Sequence, residues 1–96
     1  MYDYEFKTTF WRDFTIADKF GKLAIDDTFN RAFKEWKSDY IYLTELVLVL
    51  NWKMWEWSEK DINIARLYQK FWEKADNYAL DNLKDEELTY FYRETD

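Results

Sequence analysis

Apolar residues recur along most of this chain at spacings of three and four, the period of a helix packed on one side. Over residues 9–20, Phe10, Phe14 and Ala17 share a face, with Trp11 beside it. Ile16, Phe20 and Leu23 fall together on a different side, on either side of Gly21. Beyond that glycine, Ile25, Phe29, Ala32, Phe33 and Trp36 form a stripe pointing the other way. A stripe that changes side at a glycine predicts a break, with a new helix over 22–37. Over 40–57, Leu43, Leu46, Val47, Leu50, Met54 and Trp57 make one face, while Ile41, Leu48, Val49 and Trp52 occupy the opposite one. A helix apolar nearly all round is expected at the centre of the fold. Over 59–82 the stripe is Ile64, Leu67, Tyr68, Phe71, Ala75, Tyr78 and Ala79, with Trp72 at its edge and a charged opposite face. Leu88, Phe91 and Tyr92 mark a last short helix starting at Asp85.

Capping residues set the boundaries. Ser38 or Asp39 can open the helix at 40, and Ser58-Glu59-Lys60-Asp61 has the form of a capping box for the helix at 59. Asp85, Glu86 and Glu87 complement the dipole of the final helix. Residues 2–6 alternate aromatic and charged, with Tyr2, Tyr4 and Phe6 against Asp3 and Glu5, which suits a short extended N-terminal arm. The expected architecture is a single all-α domain over 1–96, an antiparallel bundle of four to five helices with that arm laid against it.

Composition sharpens this picture mainly by exclusion. The chain has 6 Trp, 8 Tyr and 8 Phe but no Pro, Cys or His and a single Gly. Large rings offset the small size of the domain, because each removes much apolar area from water. Without cysteine there is no disulfide, thiol nucleophile or thiolate metal site, and without histidine the commonest general base and metal ligand is missing. The net charge of −6 disfavours direct nucleic-acid and membrane-surface binding and favours a basic partner. The acidic start lacks the basic and apolar stretches of a signal peptide, and the run Leu46–Leu50 is too short to span a bilayer, so a soluble cytoplasmic protein is expected.

Little catalytic chemistry can be assembled. Glu56 and Glu59, and Glu73 and Asp76, are carboxylate pairs three residues apart, a spacing that resembles the magnesium site of all-α nucleotide pyrophosphatases of the MazG type. Such a site needs oxygen ligands clustered on facing helices. Glu73, however, points away from its apolar stripe and Glu59 lies at a helix boundary, so a solvated face is the expectation. Lysines 34, 37, 53, 60, 70 and 74 scatter along polar faces with none evidently buried, and no histidine activates a Ser or Thr. No cofactor site is expected, since no Gly-rich phosphate loop is present. Asp26-Asp27 and the acids of 81–87 read as solvated helix ends or, functionally, as an imitation of nucleic-acid phosphates that would block a basic groove.

The aromatic residues divide. Most fall on helical stripes, where a core explains them. Trp11, Tyr42, Trp52 and Trp55 fall off the main stripes. If further helices cover them they belong to the core; if exposed, they form a patch too apolar for a quiet surface, made of residue types that dominate interfaces. They are the candidate interaction residues, for a protein partner that is basic or carries an apolar groove, or for a second copy in a structural homodimer.

Residues 5–18 (EFKTTFWRDFTIAD), 27–36 (DTFNRAFKEW), 49–53 (VLNWK) and 78–84 (YALDNLK) carry a resemblance. The whole chain is similar to a family of small uncharacterised proteins from Firmicutes-type gut bacteria, their phages and mobile elements. That resemblance implies no catalytic residue. It implies the setting of a mobile-element inhibitor or adaptor of host machinery, and a non-enzymatic interaction module is the leading expectation.

Overall fold

A computed structural model describes residues 4–37 and 39–95, the side chains of 4–7 and of Trp36 excepted. Five helices follow in order: α1 (Tyr4–Phe20), α2 (Lys22–Trp36), α3 (Tyr40–Trp57), α4 (Ile62–Asn82) and α5 (Asp85–Thr95). No strand occurs among the described residues. Residues 2 and 3 of the expected arm, and Ser38 as a cap, lie outside the described residues. Residues 4–6 already belong to α1, which begins well before the expected residue 9.

α3 is the spine. It packs against every other helix, most extensively α4. Leu43, Leu46, Val47, Val49 and Leu50 are buried on it, from both of the faces that the sequence marks as apolar. Phe10, Phe14 and Ala17 of α1, Ile25, Phe29 and Ala32 of α2, Tyr68, Phe71, Ala75 and Ala79 of α4, and Phe91 of α5 complete the core. The expected stripe on α2 extends to Trp36, whose side chain lies outside the described residues. Ring stacking joins α2 to α4: Phe29 lies 4.3 Å from Phe71 and 5.3 Å from Phe33, both nearly parallel, and Tyr78 meets Phe33 edge-on. The Cα radius of gyration is 12.8 Å, close to the roughly 12.5 Å expected of a compact chain of this length.

One residue separates α1 from α2. Gly21 has φ 89° and ψ −166°, a conformation essentially restricted to glycine. Its N–H bonds the Ala17 carbonyl while its own carbonyl accepts from Ile25, so the corner leaves neither group idle. The break read at this glycine is therefore present.

The α3–α4 junction differs from the expected capping box. Asp61, with extended backbone, is the N-cap of α4, and its carboxylate accepts the Asn63 N–H at 3.0 Å. Ser58 instead closes α3, donating its hydroxyl to the Trp55 carbonyl at 2.7 Å. A serine can cap either end, and at this one its hydroxyl and its N–H both bond the Trp55 carbonyl in the last turn of α3. Asp39 caps α3 as anticipated, accepting from Ile41 N–H. On α5 the Glu87 carboxylate accepts the N–H of Lys84, the reciprocal half of a capping box.

Candidate functional site

Three of the four off-stripe aromatics meet on one surface. Trp11 of α1 contacts Trp52 of α3 edge-on at 5.9 Å between ring centroids, and Trp52 contacts Trp55 at 5.2 Å. Trp52 is 50 % exposed and Trp55 67 % exposed, while Trp11 is half-buried. With Leu48, Val49 and Met54 deeper down, and Asn51 and Ser58 alongside, they line a groove of about 660 Å³. Tyr42, the fourth, does not join them. It is half-buried near the start of α3, about 20 Å along the helix axis from Trp55.

α3 presents this face because it runs out of cover. Residues 43–47, 49 and 50 are buried, whereas further on Asn51, Trp52 and Trp55 are exposed, although α1 reaches Trp52 and Lys53. Burial on both faces is concentrated at residues 43–50, so the expectation of a helix buried nearly all round holds there and fails at Trp52; Trp55, off those faces, is exposed as well.

Beneath Trp11 lies a buried polar cluster. Lys53 is only 2 % exposed. Its ammonium donates to Asp18 at 2.9 Å, to Thr15 at 3.2 Å and to Glu56 at 3.3 Å, and it sits 5.5 Å from the centre of the Trp11 ring. The Tyr68 hydroxyl, fully buried, donates to the other oxygen of Asp18. Burial, then the hydrogen bond to Asp18, then the negative charges of Asp18 and Glu56 push the Tyr68 phenol far above its ordinary pKa. It stays protonated and acts as a fixed donor. The cluster joins α1, α3 and α4, and it anchors the α1 segment that carries Trp11.

This corrects the reading of Lys53 as a polar-face lysine. Its partners Thr15 and Asp18 lie in α1, so helical periodicity within α3 carries no trace of them; only Glu56, three residues on, shares its helix. The local signals are Lys53 standing between the apolar residues Trp52 and Met54, and Glu56 one turn on.

The carboxylate candidates are dispersed. Glu56 is engaged by Lys53, Glu59 is exposed in the turn after α3, Glu73 is exposed and bonded by Gln69, and Asp76 is half-buried in mid-α4. Among the described residues no group of three or more acidic side chains is placed to hold a metal ion. The structure thus does not bring Glu56, Glu59, Glu73 and Asp76 together as the pyrophosphatase pattern requires. Asp26 and Asp27 each have a cation one turn away, Lys22 at 3.3 Å and Arg31 at 3.8 Å, which blunts them as an acidic patch.

A second exposed apolar surface lies at the α1–α2 corner. Phe20 is 75 % exposed and Leu23 82 % exposed, with Ile16 beside them. The three residues that the sequence groups on one side of the wheel are thus all exposed, outside the core. No described helix is long and apolar enough to cross a membrane. Compared with family models, curated proteins and solved structures, the chain matches none.

Proposed function

We propose that this chain is a non-enzymatic protein–protein interaction module that docks through the Trp11–Trp52–Trp55 groove. The observation that carries this reading is the exposure of two tryptophans on a surface whose third tryptophan is held by a buried ion pair. Tryptophan is the residue most enriched at binding hot spots, and an apolar groove of this kind on a small chain is a liability unless something covers it. The rigidly held Trp11 lowers the ordering cost of association. The concave element belongs to this chain, so the partner supplies the convex one. On the sequence resemblance we further place the module among mobile-element inhibitors or adaptors of host machinery.

The test is a photo-reactive residue at position 55, illuminated in the cells that make the protein. One discrete adduct with another protein, lost when Trp52→Ala is added, is the expected result. Absence of any adduct sinks the reading.

Homodimerisation is the second reading. It draws on the Phe20–Leu23 corner, an apolar knob on the same chain as an apolar groove. Sedimentation equilibrium separates the two: a dimer dispersed by Leu23→Asp favours self-association, and a monomer throughout excludes it.

A further inference from the structure

The groove's lining constrains what can occupy it. It offers few polar partners: the Asn51 amide, the indole N–H groups and the Ser58 hydroxyl, which already donates to Trp55. An extended peptide laid there would bury backbone N–H and C=O groups without partners, and no sheet edge exists among the described residues to pair with it. A helix satisfies its own backbone and presents only side chains. From Leu48 to Ser58 the α3 axis advances about 15 Å, which accommodates roughly three turns of a second helix.

Charge gives the occupant a sign and a direction. No Lys or Arg lines the groove, and the Lys53 charge beneath it is taken up by Asp18 and Glu56. At the Ser58 end stands the negative pole of the α3 dipole, with no basic residue in its last turn; the turn that follows carries Glu59 and Asp61 against Lys60, whose ammonium lies over the Trp57 ring, and so is net acidic. The chain as a whole carries −6. Resting on the docking role proposed for this groove, we infer that its occupant is an amphipathic helix of a basic partner protein, lying along the C-terminal part of α3 with its lysine or arginine residues at the Ser58 end.

Two synthetic three-turn helical peptides with the same apolar face test this, one bearing lysine on its polar face and one bearing glutamate. Calorimetric titration into the intact chain should show the lysine peptide binding at least about tenfold more tightly. Trp52→Ala and Trp55→Ala, both at exposed positions, should each weaken it by about thirtyfold, the scale of an interface hot spot. Glu59→Lys, in an exposed turn, should weaken the lysine peptide and leave the circular dichroism spectrum unchanged. Equal binding of both peptides, lost in the tryptophan variants, overturns the basic partner while leaving the docking groove intact. Lysine-peptide binding that survives both tryptophan substitutions overturns the inference, because the charge is then read elsewhere. Failure of both peptides to bind overturns the helical occupant, and dimerisation that hides Trp55 from acrylamide quenching overturns the docking role as well.

Discussion

A lysine stands at position 53 where a methionine would pack, and it is tolerated because three oxygens surround its ammonium. Burying such a charge costs several kcal/mol unless geometry and further hydrogen bonds offset it. Here Asp18, Thr15 and Glu56 supply those bonds, and Tyr68 satisfies the second oxygen of Asp18. Removing one partner is therefore worse than removing the pair. Lys53→Met should destabilise the fold by about 3–5 kcal/mol in urea titrations, and Lys53→Met with Asp18→Asn should cost less than Lys53→Met alone. Tyr68 adds a pH dependence. Its pKa is raised above the ordinary 10.0, first by burial and then by Asp18, so the folded chain keeps a proton that the unfolded chain sheds at alkaline pH. This contribution is complete below the unfolded pKa and declines as pH rises above it, by up to about 1.4 kcal/mol per pH unit. Tyr68→Phe should remove that part of the alkaline slope, checked by urea unfolding from about pH 8 to about pH 11. Of this cluster only the Lys53–Glu56 pair, three residues apart on one helix, is legible in the sequence. Lys53 and Asp18 are 35 positions apart and Tyr68 and Asp18 are 50, and only the packing of three helices makes them neighbours.

Helix boundaries were more readable, because periodicity and caps act over a few residues. The glycine break, the Asp39 cap, the α3 spine and the start of α5 at Asp85 all follow from local pattern. Ser58 departs from the expected cap for an equally local reason: a serine satisfies a carbonyl at one helix end as readily as an amide at the next, and its sequence neighbours do not decide between them. Gly21 tests the logic of the α1–α2 corner. A Cβ built there meets nothing within 4 Å, so space does not forbid a side chain. Its φ of 89° does. Gly21→Ala should thus destabilise by about 1–3 kcal/mol through backbone strain alone, measured as a lowered urea midpoint with an unchanged slope. Substitution by Ala at a glycine with ordinary φ would instead stabilise modestly. A neutral or stabilising result would show that the corner relaxes and that α1 is not held by its geometry.

Across the whole molecule, five helices of this length do not cover α3 completely, and the uncovered side is where the surplus aromatics collect. A wheel drawn for one helix separates its faces but cannot say how many neighbours will arrive, which is why Trp52 and Trp55 could be set apart from the core by sequence while their exposure could not. The same limit hid the fate of Phe20 and Leu23, which the pattern marks as apolar and the fold leaves in solvent. If the groove tryptophans served the fold, removing them would resemble removal of Phe29, which is fully buried in a stack with Phe71 and Phe33. Phe29→Ala should cost about 3–5 kcal/mol, as buried aromatic truncations do. Trp55→Ser should cost less than about 1 kcal/mol, because most of its ring already contacts water. Thermal and urea unfolding of the two variants side by side measure the difference. A small loss at Trp55 leaves the ring without a structural reason to be there, since serine in its place would shed an aggregation hazard at little cost in stability. An equal loss at both sites would assign the groove to stability and withdraw the main physical support for a docking role.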